Sequence, residues 1–176
     1  IARYYFNRST KQDFDCNHDH TLKMQKWSPL AILIYGLSLT FAGIDWIMSI
    51  TPHWYSTMFG IYIFAGGVVS SLCLFSIIFI LLRKYGYLTN IISIEHFHDL
   101  GKLIYGFNIF WSYVAFSQFF LIWYANIPEE TMWFSAHFKG SWEWVAILIC
   151  IGHFGIPFIF FISRHMKRNL KYHFWM

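Results

Sequence analysis

The chain has 176 residues, of which 57% are hydrophobic and 23% aromatic but only 12% charged, with a formal net charge of +4. That balance excludes an ordinary water-soluble domain and places the chain among membrane proteins. The positive charge does not call for a nucleic-acid partner, because in a membrane protein the location of Lys and Arg matters more than their sum.

The opening segment, 1–29, carries Arg3, Arg8, Lys11, Lys23 and Lys26 and reads as a polar linker. It begins on Ile1 rather than Met and shows no signal-peptide pattern, so the expectation is a fragment of a longer polypeptide. Its run Asp15, Cys16, Asn17, His18, Asp19, His20 is rich in metal-ligand types. A solvated polar loop is the favoured reading there, ahead of a metal site.

A membrane helix needs about 20 mostly apolar residues. The first stretch that qualifies is 30–50, apolar except for Asp45. Pro52 ends it, and a turn bearing Trp46, Trp54 and Tyr55 follows, with rings suited to headgroup level. The second, 60–82, contains no charged residue. Residues 85–100 are too polar to span and are expected to form a surface helix running into the third span, 103–125. The loop 126–143 holds Glu129, Glu130 and Glu143, with Trp123, Tyr124, Trp133, Trp142 and Trp144 in or beside it. The fourth span, 144–162, contains one ionisable residue, His153, and the basic tail 163–176 closes the chain. The expected fold is therefore an all-α integral membrane protein, a four-transmembrane-helix bundle.

Every Lys and Arg except Lys139 falls on one side of these spans. The positive-inside rule then puts both ends in the cytoplasm, with Asp45 and the loop 126–143 facing outward. Three cysteines, Cys16, Cys73 and Cys150, have no paired spacing and read as free thiols.

Ionisable groups inside a membrane helix cost about 2.5–3.5 kcal/mol on insertion scales and are functional candidates by default. Asp45 lies roughly 8 Å below the outer end of its helix. Ser38, Ala42 and Ser49 share its face, which should meet protein. It is either a proton-accepting carboxylate near an outward exit or an acid that hydrogen-bonds a neighbouring helix end. If 95–125 is one continuous helix, Glu95, Asp99, Lys102, Gly106, Tyr113, Ser117 and Tyr124 share a stripe about 60° wide. That stripe is either a proton relay or a helix–helix seam with polar glue. His153 is either a packing residue or a quinol or proton-relay group, and Pro157 should loosen the helix beside it. His153 has no histidine partner at its depth, so a haem in this chain is not expected. No phosphate loop or nucleophile triad appears, so no catalytic residue is assigned.

Four stretches together resemble a known family: FAGIDWIMSITPHWYSTMFGIY (41–62), EHFHDLGKL (95–103), FSQFFLIWYANIPEETMWF (116–134) and HFGIPFIFFISRHMKR (153–168). They are similar to the ActF family of membrane subunits of bacterial alternative complex III. These are relatives of the polysulfide-reductase-type (NrfD-like) membrane proteins. RYYFNRSTKQD (3–13) also looks like that family's central cytoplasmic linker. The resemblance implies a larger subunit of about ten membrane helices, of which this chain is most of the second half. It implies membership of a quinol:electron-acceptor oxidoreductase in the bacterial inner membrane, within a respiratory electron-transport chain. The implied partners are a sister NrfD-like subunit of the ActC type, iron–sulfur and haem c subunits on the outer side, a terminal oxidase and membrane lipids. The iron–sulfur clusters and haems would belong to those partners, this chain would bind no metal of its own, and quinone or menaquinol is the ligand to consider. On that picture Asp45, Glu95, Asp99, Tyr113, Ser117 and His153 are candidates for proton translocation or a quinone site. Glu129 and Glu130 would dock the outer subunits. The competing readings are a structural anchor for neighbouring redox subunits and an unrelated transporter.

Overall fold

The structure, a computed structural model, describes residues 1–89 and 91–170. Lys171 and the rest of the tail to residue 176 lie outside the described residues. The described chain is helical throughout, apart from turns. Its helices are α1 (Ala2–Asp15), α2 (Asp19–Trp46), α3 (Phe59–Lys84), α4 (Ile94–Ala125), α5 (Pro128–His137), α6 (Trp142–Leu148), α7 (Ile156–Ile162) and α8 (Arg164–Lys167). A 3-10 turn, Met48–Ile50, follows α2, and a π-helical segment, Ile149–Gly155, joins α6 to α7.

Among the described residues three helical stretches have the length and apolarity that a membrane crossing requires: Asp19–Ile50, Phe59–Lys84 and Trp142–Ile162. They contain the first, second and fourth expected spans. The third expected span, 103–125, lies inside α4, a 32-residue helix that does not meet the same measure. Its sequence explains why. Asn108 and Gln118 are amides, and Tyr105, Trp111, Ser112, Tyr113 and Ser117 add further polar atoms. Asn108, Trp111 and Gln118 are buried, so much of that polarity faces protein.

The main interfaces follow chain order: α2 on α3, α3 on α4, and α4 on α7. The α4 face turned inward is Phe97, Gly101, Ile104, Asn108, Trp111, Val114, Gln118 and Ile122, spaced by three or four residues as one side of a helix must be. The α2–α3 crossing is close because Gly60 has no side chain: a Cβ there would overlap Thr40. By contrast α2 buries only Gly43 among its residues and leaves Ile32, Leu33 and Leu37 largely exposed.

Three boundaries differ from the sequence expectation. The linker 1–29 is helical over most of its length. Cys16 takes a left-handed conformation (φ 48°) that ends α1, and α2 starts at Asp19 and runs through Pro29. The hairpin is tied by Tyr5 Oη donating to the Met24 carbonyl at 3.5 Å and Thr21 Oγ1 donating to Gln12 Oε1 at 3.0 Å. The expected surface helix over 85–100 begins only at Ile94, where His96 Nδ1 accepts the Ser93 backbone N–H at 3.1 Å. The loop 126–143 contains α5. Asn126 ends α4 in the left-handed region (φ 51°), which Asn tolerates, and Pro128 opens α5 at its first position.

The turn after α2 also departs from expectation. Trp46 and Tyr55 are exposed, as headgroup-level rings would be, but Trp54 is 4% exposed. Its ring stacks on Trp133 of α5 at 4.5 Å between centroids and meets Phe59 edge-on at 5.7 Å. Trp54 is therefore the centre of an aromatic cluster that joins the α2–α3 turn to α5, and not a lipid anchor. Stacked and edge-on ring pairs of this kind contribute beyond the area they bury.

Candidate functional site

A break in backbone pairing in the last long helix organises the site. The Ile156 N–H bonds to the Ile151 carbonyl five residues back, and the next pair in that register would join residue 157 to the Gly152 carbonyl, beside that of His153. Residue 157 is proline, which has no N–H. The segment before it, Ile149–Gly155, is π-helical, an irregularity that shifts carbonyls away from their ordinary partners. The His153 carbonyl finds its donor on another helix: Asn108 Nδ2 of α4 donates to it at 3.0 Å.

Asn108 is 2% exposed. Its Nδ2 is committed to the His153 carbonyl, which can only accept, so the amide cannot be turned around. Its Oδ1 is buried without a hydrogen-bond partner among the described residues. An unsatisfied buried acceptor costs on the order of 1–3 kcal/mol.

The His153 ring meets Trp111 edge-on, with centroids 4.2 Å apart. Trp111 is itself buried and packs against Tyr62 of α3 at 5.4 Å. Gly66 of α3 gives the indole its room, since a Cβ there would come to 3.3 Å from Trp111 Nε1. Four aromatic and polar side chains from α3, α4 and the π-helical segment thus fix one another's position.

Beside them lies a partly open cavity of about 170 Å³. Ser70, Cys73, Asn108 and His153 line it with polar atoms, and Val69, Ile104 and Phe161 complete apolar walls. A second hollow, about 290 Å³ and mostly apolar, lies between α4 and α5 with Lys139 at its edge.

The other candidate residues are not brought to this site. Asp45 is exposed near the end of α2, and its backbone carbonyl accepts the Ser49 hydroxyl at 2.5 Å. Glu95 pairs with Arg168, tying the start of α4 to the end of α8. Asp99 accepts from Lys102 Nζ at 2.7 Å and lies 3.9 Å from His98. The Lys102 ammonium, hydrogen-bonded to it, holds the Asp99 carboxyl below the usual carboxylate range. Tyr113 is 64% exposed, and the half-buried Ser117 donates to the Val114 carbonyl at 3.0 Å. At 100° per residue the stripe from Glu95 to Tyr124 is about 180° from the face holding Asn108, Trp111 and Gln118. Apart from Glu95, which meets Arg168, it lies along a largely exposed side of α4. Glu129 and Glu130 fall in the first turn of α5, where the helix dipole favours carboxylates.

The ligand-rich run at 15–20 wraps the α1–α2 turn. His20 Nε2 lies 3.8 Å from Asp15, and His20 Nδ1 lies 3.3 Å from the Arg8 guanidinium. Among the described residues no three His, Cys, Asp or Glu side chains converge as a metal site. The three cysteines are free.

A scan of protein-family models gives no match for this chain, and a search of curated proteins gives none.

Proposed function

We propose that this chain is a membrane-embedded part of a subunit of a quinol-oxidising respiratory complex of the alternative complex III type. In that role it supports quinone binding or proton translocation and leaves the redox centres to iron–sulfur and haem c partners. The observation that carries the reading is the polar site of Asn108 and His153, where α4 packs between two stretches apolar enough to cross a membrane, Phe59–Lys84 and Trp142–Ile162. Polar groups at such depth are retained at a cost in insertion and mark ligand or proton sites. The stretches similar to the ActF family support the choice of complex. The shared end of the basic residues supports an inner-membrane orientation with both ends cytoplasmic. Asp45, Asp99, Tyr113 and Ser117 are open to partner helices such as a sister ActC-type subunit, while Glu95 is already paired with Arg168. Exposed Glu129 is open to the outer subunits.

The test is quinol oxidation with outward proton release in the purified complex carrying Asp45→Asn or His153→Phe. Loss of turnover or proton yield, with all subunits still present, supports the reading. Unchanged values in both variants contradict it.

A scaffold role is the second reading, favoured by α2. A helix that leaves Leu33 65% and Leu37 63% exposed has its apolar surface available for neighbouring subunits as well as lipid. It predicts that both variants assemble and turn over normally, while apolar-to-polar changes at Leu33 and Leu37 release partner subunits.

A further inference from the structure

We infer that the hollow between α4 and α5 is a phospholipid site, with an acyl chain against its aromatic walls and the phosphate of a zwitterionic headgroup on Lys139. The inference rests on the membrane placement of the apolar helices and stands whether or not the role in quinol oxidation holds.

The walls are set by the packing of α5 on α4. Phe119 of α4 meets Phe134 and Phe138 edge-on, with centroids 5.3 and 5.7 Å apart. Those rings, with Ile122 and Trp123, line a half-open space of about 290 Å³, close to the lower end of the about 300–1,000 Å³ usual for ligand sites. Trp123 is 62% exposed, and Tyr124 beside it is 77% exposed. Exposed rings of these two types at the end of a helix packed among membrane-crossing stretches lie at headgroup level, so the neighbour that meets this hollow is lipid.

The charge at the edge selects the headgroup. Every other Lys and Arg falls on the opposite side of the expected spans, and Lys139 forms no ion pair among the described residues. Its alkyl stem can follow the apolar wall while its ammonium reaches a phosphate at the surface. Ser135 lines the same hollow, and its hydroxyl can donate a second hydrogen bond to that phosphate. Glu129, Glu130 and Glu143 do not line the hollow, so the phosphate meets no carboxylate there. Their field, within the same loop 126–143, still disfavours a headgroup of net negative charge and so selects a zwitterion.

The test uses the full chain, delipidated in deuterated dodecyl maltoside, a detergent without phosphate, and protonated only at its Ile δ1-methyl groups. Ile122→Val identifies the Ile122 methyl resonance by its disappearance. Dioctanoyl phosphatidylethanolamine should shift that resonance saturably and give contacts from its acyl-chain protons to the methyl group. Dioctanoylglycerol, with the same chains and no phosphate, should bind about two- to fivefold more weakly, the contribution of an exposed ion pair. Lys139→Gln, a change at an exposed position, should lower the affinity for the phospholipid to that for dioctanoylglycerol, and Lys139→Arg should preserve it. Equal affinity of the unaltered chain for the two lipids, or an affinity for the phospholipid unchanged by Lys139→Gln, overturns the phosphate contact. Tighter binding of dioctanoyl phosphatidylglycerol than of the zwitterion overturns the choice of headgroup. No acyl contact at Ile122 from any of these lipids overturns the site itself.

Discussion

Asn108 donates its side-chain N–H to the backbone carbonyl of His153, in the π-helical segment four residues before Pro157. The bond makes α4 and the last long helix a single unit at that depth. It also gives a backbone acceptor in an irregular helical segment a donor from another helix, the kind of pairing that non-helical backbone in lipid requires.

Asn108→Leu leaves the His153 carbonyl unpaired but also removes the unpaired Oδ1, so its net cost should fall below the about 1–3 kcal/mol of one buried unpaired group. Pro157→Ala restores an N–H at residue 157. The double variant should then lose less than the sum of the two single changes. A double-mutant cycle measured by unfolding in detergent reads this directly. Strict additivity would show that the bond and the proline are unconnected.

The Trp54–Trp133 stack makes a prediction at the opposite end of the helices. Trp54 Nε1 is buried without a partner among the described residues, so its indole contributes packing and not a hydrogen bond. Trp54→Phe keeps a ring there and removes the unpaired donor, and its effect should be near neutral. Trp54→Ala opens a cavity and should cost about 3–5 kcal/mol. Limited proteolysis within residues 126–141 provides the check, with accelerated cleavage expected for Trp54→Ala and not for Trp54→Phe.

Close contact of α2 with α3 rests on the absent side chain at Gly60. Gly60→Leu would force a methyl-bearing chain into Thr40 and should destabilise by about 1–3 kcal/mol. Crosslinking between cysteines placed on α2 and α3 should fall in this variant. Gly106→Leu, at a position with open space, should leave that crosslink intact.

Asp99 gives a pH prediction. Lys102 holds its carboxyl below the ordinary range, so the folded state binds that proton more weakly than the unfolded chain. The pairing is therefore fully present above the unfolded carboxylate value, near pH 4, and is lost as acidification passes down through the folded value. Lys102→Gln should raise the Asp99 titration toward that ordinary value, as followed by carboxyl carbon NMR. An unmoved titration would mean that the 2.7 Å pair does not persist in solution.

Much of this architecture is legible in the residues. The uncharged run 60–82 and the nearly uncharged 144–162 both emerge as long apolar helices, because length and hydropathy need no tertiary information. Pro157 was readable as a disturbance beside His153, and the π-helical segment is there. What stayed hidden depends on which way a helix turns. A search for charged and hydroxyl groups on one stripe selects Glu95, Asp99, Tyr113 and Ser117 on α4 and passes over the amides Asn108 and Gln118. Those amides share a buried face with Phe97, Gly101, Ile104, Trp111 and Ile122, a spacing visible in the sequence. The third expected span, 103–125, falls short of the apolarity of the other three because its amides and hydroxyls lower the mean. Trp54 was unreadable for a different reason, since its partner Trp133 is distant in the chain and lies in a helix that looked like a loop.

The most direct measurement of the central proposal is affinity purification of the full chain from its native membrane, followed by assay of the product. The account predicts co-purification with haem c and iron–sulfur subunits and quinol-dependent reduction of an electron acceptor. A chain that purifies free of redox subunits, from membranes whose quinol oxidation is unaffected by its deletion, would contradict it.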